Sequence, residues 1–260
     1  MEDLQLSYKN SRIHYLCFGS GKKIAVCFHG YGQTADTFGF LEKYAGDDYR
    51  FYAIDLPFHG KSEWNEGLNF TTTDLLNILQ QIPGLMEQKM TLIGFSLGGR
   101  VALSLYETIP DQVEKLVLMA PDGLKVNFWY WLTTQTSSGN KLFAFTMRYP
   151  GWFFAFLKLI NKAGLANSSI FKFVNYYIGN KDVRNQLYDR WTTFRKLKPS
   201  LENVKSDIRH YKTSVQLIYG KHDRIILSSR GKRFQKGIGD HCSLKIIHSG
   251  HEVLHETHIK

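Results

Sequence analysis

The chain has 260 residues, 43% apolar and 22% charged, with 33 basic against 23 acidic side chains and a formal net charge of +10. That composition excludes a disordered or collagen-like chain, and the length is enough to bury a core without disulfide staples. It suits one large α/β domain carrying an insertion. The cysteines (Cys17, Cys27, Cys242) are odd in number, and two lie in strand-like apolar runs, so buried reduced thiols are expected. The start, Met1-Glu2-Asp3-Leu4-Gln5, lacks the basic and apolar regions of a signal peptide. The longest apolar run, residues 152–160, is broken by Lys158 and falls short of the ~18 residues of a membrane span. A cytoplasmic location is the resulting expectation.

In chain order, residues 4–9 and 12–18 read as a hairpin around Asn10. Residues 24–29 (IAVCFH) are continuously apolar, as a strand buried on both faces should be. Residues 50–55, 90–95 and 115–120 repeat the theme. Between them, residues 71–85 open on a capping Thr cluster and carry Leu and Ile at helical spacing. Residues 97–108 predict a second helix, closed by Pro110. The alternation stops after Pro121-Asp122-Gly123, and residues 124–212 read as several amphipathic helices with aromatic faces. It resumes with strands at 215–220 and 244–248 and a helix at 226–236. Strands alternating with helices imply a mostly parallel sheet with helices on both faces. The expected division is a core of 1–123 and 213–260, with an inserted domain at 124–212.

Gly94-Phe95-Ser96-Leu97-Gly98 joins the strand at 90–95 directly to the helix at 97–108. This is G-x-S-x-G in its strand–turn–helix context. A sharp turn there lifts the Ser96 hydroxyl off the sheet, and Gly94 and Gly98 avoid the collisions that side chains would make. The helix points its first N–H groups at the place where an oxyanion would form, Leu97 foremost.

At this point the chain resembles the α/β-hydrolase fold family. The likeness covers nearly the whole chain and rests on five features in the family's order. His29-Gly30 ends the third strand, where the family builds its oxyanion loop. Asp55-Leu56-Pro57-Phe58-His59-Gly60-Lys61-Ser62 resembles the D-x-P-G-x-G-x-S loop, with Phe58 where Gly is usual. Gly94–Gly98 is the nucleophile elbow. Asp223 follows the strand that ends in Tyr219-Gly220, and Ser249-Gly250-His251 follows the last strand.

The resemblance implies a mostly parallel eight-stranded sheet with helices on both faces and a helical cap at 124–212. It implies the triad Ser96, Asp223 and His251, with Tyr31 N–H as the second oxyanion donor beside Leu97. Serine at position 96, where dehalogenases and epoxide hydrolases of this fold use Asp, points to acyl transfer. The expected activity is carboxylic-ester hydrolysis with no metal or organic cofactor. A thioesterase or methyl esterase on a carrier-bound acyl chain, and a non-catalytic binding module, are the alternatives.

Other residues admit competing readings. Asp122 is an alternative acid or a plain turn residue. His251-Glu252-Val253-Leu254-His255 spells H-E-x-x-H, with His258 as an imaginable third ligand, and would need a helix to bind zinc. His29 and His59 are expected to stabilise their loops, and Asp55 its own turn. Phe58, Phe95, Trp129 and Trp152 are candidate pocket residues. Nine residues follow His251, where the family usually continues into a final helix.

Residues 124–200 hold twelve Lys/Arg against two Asp, and 18 of the chain's 37 aromatics. Their aromatic clusters (128–131, 152–154, 176–177) can pack the insertion, line an acyl tunnel or meet a membrane surface. The charge is either a solvated face or a site for anionic lipid or an acidic acyl-carrier protein. Nucleic acid is not expected, because the basic residues are dispersed and no binding motif is present.

Overall fold

The computed structural model describes residues 1–125, 128–162 and 177–258, which form two compact units. One comprises residues 1–66, 70–125 and 196–260; the other comprises 67–69 and 126–195.

The first unit is built on eight strands: β1 (Glu2–Tyr8), β2 (Ser11–Phe18), β3 (Lys23–Phe28), β4 (Tyr49–Ile54), β5 (Met90–Phe95), β6 (Val113–Met119), β7 (Ser214–Gly220) and β8 (Cys242–Ile247). They pair in the order β1-β2-β4-β3-β5-β6-β7-β8. β2 runs antiparallel to both its neighbours, and every pairing from β4 to β8 is parallel. β5 is buried along its whole length and β3 from its second residue on, which explains their unbroken apolar sequences.

The helices of this unit are α1 (Leu41–Ala45), α2 (Thr72–Leu79) and α3 (Leu97–Thr108). Between β3 and α1 lies a 3-10 turn, Ala35–Phe38. The second unit holds α4 (Phe128–Gln135), α5 (Ser137–Arg148), α6 (Gly151–Lys162) and α7 (Lys181–Thr193); α8 (Leu201–Tyr211) and α9 (Ser228–Gln235) belong again to the first. Right-handed crossovers place α1 on one face of the sheet and α2, α3, α8 and α9 on the other. The α1 face is closed by Ala35 and Phe38 of the turn and by Val253 and Leu254 of the C-terminal segment. Those two residues anchor the chain just after His251, and Glu256 is held there by Lys43 and Tyr44 at 3.0 and 2.9 Å.

Most element ends fall within two residues of the sequence reading, and two boundaries differ by more. α2 stops at Leu79 rather than reaching residue 85, because Pro83 has no N–H and its ring would collide with the Leu79 carbonyl. Residues 196–212, read as part of the insertion, group with the sheet unit. There Glu107 of α3 accepts bonds from Ser200 N and Asn203 Nδ2, both at 2.9 Å. Residues 67–69 go with the other unit, where Arg195 Nη1 donates to Leu68 O at 2.8 Å.

The second unit is held by aromatic edges and side-chain caps. Trp191 of α7 meets Tyr130 of α4 and Phe143 of α5 at 5.3 and 5.8 Å between ring centroids. Thr136 caps α5 and Asn180 caps α7. Tyr176 and the other residues between α6 and position 177 lie outside the described residues. Cys17, Cys27 and Cys242 are all buried and unbridged. Among the described residues, no helix is long and apolar enough to cross a membrane.

The N-terminus of α2 carries a reciprocal capping box. Thr71 Oγ1 accepts from Asp74 N, while Asp74 accepts from Thr71 N and Oγ1. Asp74 also receives Tyr8 Oη at 2.6 Å and Lys9 Nζ at 2.8 Å, tying the α2 cap to the first hairpin. Burial alone would push this carboxyl up, but the bonds from Lys9, Thr71 and Tyr8 outweigh it and hold it at about 2, below the usual 3.8. Asp74→Ala should therefore lower the unfolding free energy at pH 7 by about 2 kcal/mol in urea titrations. A depressed folded-state pKa contributes stability above 3.8 that is lost as pH falls towards 2. The gap between variant and wild type should accordingly narrow by pH 3.

Candidate active site

The parallel strands bring four carboxyl ends to one edge of the sheet: Gly30 after β3, Ser96 after β5, Asp223 after β7 and His251 after β8. Ser96 has φ +49° and ψ −113°, a strained conformation for a residue with a side chain. Backbone bonds hold it there. Ser96 N donates to Met119 O at 3.0 Å, and Ser96 O accepts from Asp122 N at 2.8 Å. A Cβ on Gly98 would lie 1.8 Å from Phe28 O and 2.9 Å from His29 O. The elbow helix thus presses directly on the end of β3, and no other residue type fits.

His251 lies between the two other side chains. Its Nδ1 is 2.8 Å from Asp223 Oδ2, and its Nε2 is 3.0 Å from Ser96 Oγ. A carboxylate accepts only, so Nδ1 carries the hydrogen, and Nε2 is left to accept the Ser96 hydroxyl proton. Asp223 Oδ1 accepts from Ile225 N and Ile226 N at 2.7 and 2.9 Å, which fixes the carboxylate plane. The Asp223 side chain is fully buried and that of His251 mostly so. The two loops are joined by His222 N to Ser249 O at 2.9 Å. They close so tightly that a Cβ on Gly220 would meet Gly250 O at 1.8 Å.

The loop after β3 is held by His29 and Gln33. His29 Nδ1 donates to Gly30 O at 2.8 Å, and Nε2 accepts from Leu56 N at 3.1 Å, which fixes one neutral tautomer. Gln33 Oε1 accepts from Gly30 N at 3.1 Å, while its Nε2 donates to Glu252 at 3.2 Å. Gln33 therefore couples the Gly30 loop to the residue beside His251. Tyr31 lies edge-on to His59, 6.0 Å between centroids. Leu97, first residue of α3, has an N–H with no carbonyl one turn earlier to receive it.

The other candidate residues separate. Asp122 is committed to an ion pair with Arg100 and to Gly123 N at 2.7 Å, and it is Asp223 that meets His251 Nδ1. The 251–255 string is not helical, and His251 already spends both ring nitrogens. Among the described residues no group of three or more His, Cys, Asp or Glu could hold a metal ion. Phe95 is 2% exposed and packs behind His251 at 5.4 Å, so it backs the site rather than lining an opening. Trp129 and Trp152, in the second unit, are exposed. Phe58 has φ +62°. The family's glycine position does need the left-handed region, and this chain enters it with a phenylalanine.

Two supports gave no sequence signal. Asp55 Oδ1 accepts from Ala35 N at 2.7 Å, and Oδ2 accepts from Lys61 N at 2.9 Å and meets His14 Nδ1 at 2.6 Å. His14 reads as an ordinary strand residue and Gln33 as an ordinary loop residue, because Asp55 and Glu252, the partners that give them their roles, lie 41 and 219 residues away.

A family model described as serine aminopeptidase, S33 matches residues 19–258. The chain belongs to this α/β-hydrolase family. The eight-stranded sheet is the one that the resemblance implied. A pimeloyl-[acyl-carrier protein] methyl ester esterase of Aeromonas salmonicida is 33% identical over 103 residues, 40% of this chain and 39% of that protein. The match thus spans about two fifths of that relative. The uncharacterized hydrolase YugF of Bacillus subtilis is 23% identical over 248 residues, 91% of this chain and 86% of that one. Among solved structures, the thioesterase domain from the curacin biosynthetic pathway superposes with a TM-score of 0.63 at 14% identity, covering 98% and 95% of the two chains. That likeness shows a shared fold.

In this chain the close approach of Gly98 to Phe28 O reverses the usual sign of a helix substitution. Gly→Ala inside a helix ordinarily stabilises by about 1 kcal/mol. Here Gly98→Ala should destabilise by about 3 kcal/mol in urea unfolding, because backbone rather than a flexible side chain must move.

Proposed function

We propose that this chain hydrolyses carboxylic esters through an acyl-enzyme on Ser96. The observation that carries the reading is the hydrogen-bond path from Asp223 to His251 to Ser96, at 2.8 and 3.0 Å. Ser96 Oγ attacks the acyl carbon as its proton passes to His251 Nε2. The carbonyl electrons move onto oxygen, and the Leu97 and Tyr31 N–H groups stabilise that charge. The tetrahedral intermediate collapses, the ester C–O bond breaks, and His251 returns its proton to the leaving alcohol. Water then attacks the acyl-serine, again losing a proton to His251, and the acid departs as Ser96 is restored. Asp223 stays ionised and stabilises the imidazolium at each step.

A second reading, a methyl esterase or thioesterase acting on a carrier-bound acyl chain, is supported by the identity with the Aeromonas salmonicida enzyme named above. It would show as turnover that depends on the acidic carrier and falls with salt.

The test is hydrolysis of p-nitrophenyl esters from acetyl to palmitoyl. Ser96→Ala should lower kcat by about 10⁴-fold or more, and Asp223→Asn by about 10³ to 10⁴ with KM little changed. Undiminished turnover in Ser96→Ala would contradict the reading. Turnover only of the carrier-linked substrate would select the second.

A further inference from the structure

The second unit carries apolar side chains on its outside. In α6, Trp152, Phe156 and Leu159 stand at i, i+4 and i+7, so they share one helix face. In α5, Leu142, Phe145 and Tyr149 do the same at i, i+3 and i+7. These six are between 40% and 67% exposed, while Phe143, Met147 and Leu157 on the other sides of the same helices are buried. Both helices thus bury apolar side chains on one side and expose an apolar ridge on another. A soluble protein rarely leaves such ridges without a use.

The charges beside the ridges have one sign. Lys141, Arg148 and Lys158 are exposed next to them, and the Arg148 guanidinium lies over the Tyr149 ring at 5.5 Å. From residue 126 to residue 181 there is no acidic side chain, and 126–195 holds nine Lys/Arg against two Asp. Large apolar residues ending in Trp and Tyr, flanked by Lys and Arg, are what the headgroup region of an anionic bilayer receives. A second copy of the chain fits poorly, since it would present the same positive face. An acidic soluble partner would answer the charge but leave the Phe156 and Leu159 ridge in water.

We propose that the outer ridges of α5 and α6 dock this protein on an anionic lipid surface, with the aromatic and Leu side chains in the interface and Lys141, Arg148 and Lys158 on lipid phosphates. The docking does not depend on the reading of Ser96, and Ser96→Ala should bind vesicles as the wild type does.

The experiment is co-sedimentation of the full chain with phosphatidylcholine vesicles, with and without phosphatidylglycerol, together with tryptophan emission. Wild type should partition at least about tenfold more strongly onto the anionic vesicles, with a blue shift, and less so at high salt. Phe156→Ser with Leu159→Ser should weaken partitioning about tenfold or more, and so should Lys141→Gln with Arg148→Gln and Lys158→Gln. Circular dichroism and p-nitrophenyl butyrate turnover should remain those of wild type in both variants. Failure to partition would overturn the proposal. Equal partitioning onto neutral vesicles, or variants that bind like wild type, would overturn it too. So would self-association in gel filtration that the Phe156→Ser/Leu159→Ser variant abolishes, or binding to an acidic carrier protein in place of vesicles.

Discussion

Two carbonyl oxygens set how closely the strand ends of this sheet can converge. Phe28 O lies where a Cβ on Gly98 would be, and Gly250 O where a Cβ on Gly220 would be. The first contact lets the elbow helix press against the end of β3, beside the Gly30 loop. The second lets the Asp223 loop press against the His251 loop. With both gaps closed to backbone distance, ordinary side chains span from Asp223 through His251 to Ser96. A single methyl at either glycine would push the loops apart by more than a hydrogen bond can stretch. The strain at Ser96 belongs to the same constraint, because a relaxed turn would lay its hydroxyl back against the sheet.

The sheet and the elbow were legible because their signals are local. Residues 24–29 and 90–95 are apolar throughout because both faces of β3 and β5 are covered, and a run of six suffices to see it. The G-x-S-x-G spacing encodes backbone crowding, which any chain making this turn must meet. The order of Asp223 and His251 follows from parallel strands, once the strands are found. What escaped depended on contacts distant in sequence. His14 sits against Asp55, and Gln33 against Glu252, across 41 and 219 residues. Helical periodicity at 71–85 ran past the real end of α2, since Leu and Ile spacing continues beyond Leu79 while Pro83 forbids the helix. The insertion's far edge was blurred for a similar reason. α8 is amphipathic like its predecessors, and only its bonds to Glu107 assign it to the sheet unit.

Composition carried a different kind of information. The concentration of aromatics and basic residues after position 124 marked a segment unlike the rest, but not which side chains turn inward. In the structure Phe143 is buried against Trp191, which also meets Tyr130, whereas Trp152, Phe156 and Leu159 stand outside. Residue type alone does not separate the two sets, since both are large, mostly aromatic and on helices. The difference lies in which helix faces meet.

Reaction of the chain with a fluorophosphonate, read by peptide mass spectrometry, tests the account most directly. The probe needs a serine activated by a neighbouring base, not a bound substrate of the right length. The account predicts one adduct, on Ser96, formed far more slowly in His251→Ala. An unmodified Ser96 in the wild type, or equal labelling in His251→Ala, would contradict it.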